Sequence, residues 1–262
     1  MILFDYQLHN EYTKNFSLFH ILYIIGIIAA VVFSLILIKK KVKSEKAIDL
    51  ILLIGAISLL VINLANKIST AYYDVNTSAP KEVFGKEVPY RWRMVFLPFT
   101  FCSATSFILG ITLLFNRKDS FILHMFFIPI LIGGIANVFY PEYLSRQNIW
   151  EARTWGALLH HILALWLVLV MLLTGRYKPT IKKWFYPMIG LLIFVAFGYF
   201  ELLVLGFSEA MNIATPLVGM YWYHMLLIEF VLNFIWLFIW EMAINKKKFK
   251  EVCVGIVKLK EN

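Results

Sequence analysis

The chain has 262 residues, 61% hydrophobic and 16% charged, with a net charge of +9 and a mean hydropathy of +0.75. A soluble domain carries about 25% charged residues. Here the apolar residues fall in long blocks divided by short polar runs, which excludes a soluble globular enzyme. The basic excess lies at the ends of those blocks, where it meets anionic headgroups, so it does not point to nucleic acid.

Seven apolar blocks follow in chain order, at about 17–38, 47–67, 94–115, 121–140, 154–174, 185–207 and 219–244, each near the length of about 20 residues that spans a bilayer as a helix. The alternation of transmembrane strands is missing. The fold class expected is all-α, a polytopic membrane helical bundle of seven transmembrane helices. It forms a single integral membrane domain over 1–262, ending in a basic cytosolic tail over 245–262. The first block lacks a basic segment before it and a small-residue cleavage site after it. It ends in Lys39, Lys40 and Lys41 and reads as a retained anchor rather than a signal peptide. Short gaps make neighbouring helices antiparallel. The longest gap, 68–93, carries Asp74, Asn76, Pro80, Lys81, Glu82, Lys86, Glu87 and Pro89, and reads as an exposed loop able to act as a partial lid.

Orientation follows from the basic residues. Lys39 to Lys46, Arg117 and Lys118, Arg176 to Lys183, and the lysines after Asn245 fall on one side, which holds 17 of the 25 basic residues. That side is expected to be cytosolic, with the N-terminus outside, the C-terminus inside, and the chain multi-pass in the cell membrane. Trp92, Tyr140, Trp150, Trp155 and Tyr221 near block ends fit an interfacial aromatic belt.

Polar groups inside the blocks are costly in a bilayer and point to function. His20, Asn63, Lys67, Asn137, Glu201, His224 and Glu229 all fall toward the outer half. At 1.5 Å per residue, Cys102 lies roughly 12 Å, and His160 and His161 about 9–11 Å, inside the outer starts of their helices. The inner half is nearly pure Leu, Ile, Val and Phe, with His124 and Glu241 as marginal exceptions. This shared depth predicts a polar cavity open to the outside or the outer leaflet.

The chemistry available there is a thiol and imidazoles. Cys102 alone is more often a packing residue, but it needs only a nearby base to become a nucleophile, and His160 or His161 lies at matching depth. Adjacent residues differ by about 100° on a helix, so one of the two histidines is expected to face the cavity. Glu201, Glu229 and Lys67 read either as an internal ion pair or as a carboxylate orienting an imidazole. No metal is expected: no helix carries an HxxxH or HxxE pair, and a site would need His20, His161, His224 and a carboxylate from separate helices. No cofactor is expected either, since the P-loop, the Rossmann fingerprint and the GxSxG elbow are all missing. Cys253 reads as a plain tail residue, with palmitoylation as the alternative, and no disulfide with Cys102 is expected.

Several short motifs resemble one family. Leu97 to Cys102, L-P-F-T-F-C, is similar to the L-P-L-H-L-C signature of the YwaF-like integral membrane proteins, with Thr100 at the histidine of that signature. Phe16 to His20 resembles the family's first-helix histidine motif, and His160 to Leu163 resembles its histidine-bearing helix. Gly133-Gly134 with Pro141 is similar to its fourth helix, and Gly219 to Tyr223 to the start of its last. The family includes the eukaryotic transmembrane protein 164. That resemblance implies a phospholipid acyltransferase working through a cysteine and a histidine, which by motif are Cys102 and His161.

The reading is therefore a membrane-embedded lipid-modifying enzyme acting by cysteine/histidine-dependent acyl transfer, with membrane lipids as its partners. Cys102, His161, His160 and Glu201 form the catalytic set. His20, Asn63, Lys67, His224 and Glu229 bind substrate. The alternative is a small-solute binding or transport protein with an outward-facing pocket, disfavoured by the apolar inner half. A structural subunit whose polar residues serve helix packing is a third reading. Nothing in the sequence indicates an oligomeric state.

Overall fold

A computed structural model describes residues 17–244 except 78, 90, 99, 141–151, 212 and 215–220. The helices are α1 (Leu18–Lys41), α2 (Glu45–Thr77), α3 (Trp92–Phe96), α4 (Phe101–Phe115), α5 (Phe121–Phe139), α6 (Ala152–Leu173), α7 (Tyr186–Leu203) and α8 (Trp222–Ile244). A small hairpin, β1 (Lys81–Val83) and β2 (Lys86–Val88), lies between α2 and α3. Among the described residues, six helices are long and apolar enough to cross a membrane, and α4 is a shorter apolar helix. The chain is an all-α polytopic membrane bundle.

Helix α6 is the hub. It packs against α2, α5 and α1, while α2 also packs on α4, α5 on α7, and α7 on α8. The inward stripe of α2 is Leu52, Ala56, Leu59, Asn63, Lys67 and Ala71, all buried at helical spacing. Outward residues such as Leu22, Ile25 and Phe33 of α1, or Leu227, Val231 and Ile235 of α8, are exposed, as a surface solvated by lipid tails should be. Pro129 inside α5 has no N–H for the Met125 carbonyl one turn back. Gly190 of α7 meets that carbonyl closely: a Cβ there would lie 2.9 Å from Met125 O, so only glycine allows the approach.

Three expectations change. The third block is not one helix. The chain leaves helical form between Phe96 and Phe101, because Pro98 forces Leu97 into extended backbone (φ −79, ψ 149) and Thr100 caps a new helix. At 15 residues, α4 extends about 22 Å, short of a hydrocarbon core of about 30 Å. Secondly, the segment 68–93 is only partly a loop. Helix α2 runs on to Thr77, and the hairpin turns at Phe84 (φ 48) and Gly85 (φ 76), the left-handed pair of a tight primed turn. Thirdly, the inner end is more than an apolar plug. His124 Nε2 lies 2.9 Å from Asp119 Oδ1, and Lys183 Nζ bonds Asp119 Oδ2 at 3.1 Å. Nearby, Arg176 pairs with Asp49 at 2.9 Å and Glu45 at 3.3 Å.

These pairs tie the connections after α1, α4 and α6 to one face. The backbone N–H of Ile181 donates to Glu241 near the end of α8, placing that end on the same face. Burial works against ionisation of Asp119, but hydrogen bonds and charge from His124, with Lys183 and the Lys178 N–H, hold its carboxyl below the ordinary 3.8. Burial, followed by the Asp119 charge, pushes the neighbouring Tyr177 phenol up. The basic segment 245–262 and Cys253 lie outside the described residues, as does Trp150 of the aromatic belt. Trp92, Tyr140, Trp155 and Tyr221 are exposed.

Candidate active site

The break before α4 decides where the thiol goes. Thr100 is the N-cap, its Oγ1 accepting from the Ser103 N–H at 3.3 Å, so Cys102 is the second residue of the helix. The thiol is free and half-buried, and Thr105 Oγ1 donates to the Cys102 carbonyl at 3.1 Å. A helix N-terminus carries partial positive charge, which lies here beside the sulfur.

Cys102 Sγ faces α5 at Gly133: a Cβ built there would lie 3.5 Å from the sulfur. At the next residue, a Cβ on Gly134 would lie 3.4 Å from His161 O and 2.8 Å from Leu165 Cβ of α6. The Cys102 side chain and the His161 backbone carbonyl thus approach successive glycines of α5 from different helices. Small residues are what allow helices this close in a membrane.

Both histidines are buried, with ring centroids 4.1 Å apart. Both can be buried because α6 is enclosed by helices on several sides. His160 Nδ1 lies 2.9 Å from the Gly156 carbonyl. A carbonyl only accepts, so Nδ1 carries the proton and Nε2 is an acceptor. That Nε2 has no hydrogen-bond partner among the described residues. For His160, then, a backbone carbonyl sets the tautomer.

Helix α2 comes equally close. A Cβ on Gly156 would lie 2.8 Å from Asn66 Cβ. From the next position, Lys67 Nζ donates to the Leu97 carbonyl at 3.0 Å, satisfying a group released by the helix break. The Lys67 charge acts on both Glu201 and His160. Glu201 is fully buried, and neither carboxylate oxygen has a hydrogen-bond partner among the described residues. Glu229 Oε2 of α8 is likewise buried without one among the described residues.

Lys67, His160, His161 and Glu201 are buried, and Cys102 and Glu229 half-buried, on five helices toward the end of the bundle away from the basic face. Asn63 is buried one turn from Lys67, but its Nδ2 donates to Leu59 O of its own helix at 3.1 Å. His20 is buried on α1 with its ring beside Tyr23. Asn137 is half-buried on α5. His224 is exposed; its Nδ1 accepts from the Tyr221 N–H at 3.2 Å, and the ring lies 4.3 Å from Tyr223. It serves the start of α8. Sequence reasoning missed the Thr100 cap, the Leu97 carbonyl and the bare space at Gly133. The first two had a signal, in Pro98 followed closely by a hydroxyl residue.

The TMEM164 family matches the chain over residues 15–240. The chain belongs to the TMEM164 family. No curated protein and no solved structure matches it. The resemblance read from the short motifs is borne out, and with it a multi-pass membrane protein. The match takes in every helix of the TMEM164 fold described above, from α1 to most of α8.

Proposed function

We propose that this TMEM164 family member is a membrane-embedded lipid acyltransferase that carries the acyl group on Cys102. The observation that supports it most directly is the thiol at the N-terminus of α4, facing the glycine pair of α5 against which α6 packs through its backbone at His161. A buried thiol far from any base would be a packing residue. One at a helix N-terminus, in a bundle whose neighbouring helix carries two buried histidines, has a favourable field and a candidate proton acceptor.

In the first half-reaction His161 takes the Cys102 thiol proton, and the sulfur attacks the ester carbonyl of a phospholipid. The ester C–O bond breaks, the departing alkoxide takes the proton from His161, and a lysophospholipid leaves with Cys102 as a thioester. In the second, the hydroxyl of an acceptor lysophospholipid gives its proton to His161 and attacks the thioester. The C–S bond breaks, and the sulfur recovers its proton. The first turn of α4 and the Lys67 ammonium would stabilise the oxyanion in both steps. Glu201 balances Lys67, and His160, with its tautomer fixed, holds its neighbour's ring. Glu229 would bind the substrate. With the basic face toward the cytosol, this chemistry lies in the outer half of the bilayer.

The test is acyl exchange between a defined phospholipid and a lysophospholipid, followed by mass spectrometry with purified protein in liposomes. Cys102→Ala should lower exchange by at least ~100-fold, the range set by nucleophile and acid–base terms, while the melting profile in detergent stays unchanged. Full exchange by that variant, or none by the native chain, would overturn the proposal.

A further inference from the structure

At the basic face one ring nitrogen meets two opposite charges. His124 Nε2 lies 2.9 Å from Asp119 Oδ1 and 2.8 Å from Lys183 Nζ, and Lys183 Nζ also donates to Asp119 Oδ2 at 3.1 Å. A carboxylate only accepts and an ammonium only donates. One nitrogen cannot serve both: carrying a proton it bonds Asp119, and bare it bonds Lys183. The ring is buried on α5, which confines the choice to these two partners. Around them, the rings of Tyr177 and Tyr186 lie 4.9 and 6.1 Å from the imidazole, and the Lys178 N–H donates to Asp119 Oδ1 at 3.3 Å. Histidine is the side chain whose ordinary titration falls between pH 5 and 8. Asp119, held below 3.8, stays ionised through that range, and burial moves the Tyr177 phenol up, away from it.

Lys183 closes the single 3-10 turn Ile181–Lys183, and that turn holds α8. The Ile181 N–H donates to Glu241 Oε1 at 3.1 Å, and Asn233 Nδ2 donates to the Trp184 carbonyl at 3.0 Å. The apolar span of α8 is 12% buried, against 56% for α6, so a change at this turn bears on how α8 is held. We infer that Asp119, His124 and Lys183 form a proton-operated latch on the connection between α6 and α7. With Nε2 bare, the Lys183 ammonium donates to both the ring and Asp119 Oδ2, and the turn is closed onto the start of α5. When both ring nitrogens carry protons, the imidazolium donates to Asp119 Oδ1. Lys183 then loses one acceptor and faces a like charge, so the turn and its contacts to α8 loosen. The proton reaches the ring from water, since the Asp119 side chain beside it is 32% exposed. This latch lies at the opposite end of the bundle from Cys102 and is independent of the acyl-transfer reading.

Amide hydrogen exchange of the full chain in lipid nanodiscs, followed from about pH 8 to about pH 5 and corrected for the intrinsic exchange rate, reads the latch. Protection of residues 177–185 and of the last two turns of α8 should fall together by at least ~5-fold, the population change that one lost hydrogen bond produces. His124→Gln keeps a neutral acceptor for Lys183 but has nothing to titrate, so its protection should stay level over the same range. Lys183→Met removes the competing donor and should also give a level profile. Both variants leave Glu241 intact, so a step that persists in either belongs to another group and overturns the latch. No step in the native chain overturns it without any variant, and so does a step in the turn that α8 does not share. If one variant fails to fold, the other still separates His124 from Glu241.

Discussion

Lys67 shows how one residue binds several helices at membrane depth. Its ammonium donates to Leu97 O, and its charge faces Glu201, which is fully buried. Removing one of two buried opposite charges leaves the other uncompensated, whereas removing both does not. Lys67→Met should therefore lower the melting temperature in detergent markedly, and Lys67→Met with Glu201→Gln should recover much of the loss. Additive losses in that double variant would show that the two charges do not act as a pair. The depth of these residues was legible in the sequence, because rise per residue needs no tertiary knowledge. Facing was less so. His224 shares the depth of the cluster yet is exposed and caps its own helix, while His160 and His161, consecutive in sequence, are both buried because α6 has helices on several sides.

Among the elements, the start of α4 carries the most chemistry. A continuous apolar run hid the break, since hydropathy averages over Pro98. Turn chemistry was the better guide: proline disfavours helix at the residue before it, and threonine starts the next helix. Thr100→Val removes the acceptor for the Ser103 N–H and should cost about 1 kcal/mol. It should also slow alkylation of Cys102 at neutral pH, because the frayed turn no longer holds its dipole against the sulfur. Thr100→Ser should restore both, and equal alkylation in all three would mean the helix start does not activate the thiol. At the opposite face, Asp119 joins the turn before α5 to the segment after α6. Its carboxyl titrates below the ordinary 3.8, so the unfolded chain takes up its proton first as pH falls. The stabilisation is complete at neutral pH, declines from about pH 4, and is lost as pH passes below the folded-state value. Detergent melts of Asp119→Asn should therefore fall below the native chain at pH 7 and converge with it under acid. A constant gap would assign the loss to packing instead.

For the whole molecule, the charge pattern and the contacts agree on which connections share a side. Arg176 with Glu45 and Asp49, Lys183 with Asp119, and Ile181 with Glu241 join four helix ends on one basic face. The sequence made this legible because basic residues mark connections, whatever the helices do between them. The ion pairs themselves were not legible, since the acids lie far from Arg176 and Lys183 in the chain. Which compartment the face meets is set by its lysines and arginines, which resist transfer across an energised membrane. The basic face is therefore expected in the cytosol and the hairpin outside. With Cys102→Ala and Cys253→Ser as background, cysteines at exposed Lys86 and Lys43 report the two sides. A membrane-impermeant maleimide on intact cells should label Lys86→Cys at once and Lys43→Cys only after permeabilisation. The reverse pattern would invert the protein and move Cys102 to the inner leaflet. The leaflet matters to the proposed chemistry: Cys102 lies toward the end of the bundle away from the basic face, so orientation decides which leaflet's lipids can present an ester to the thiol.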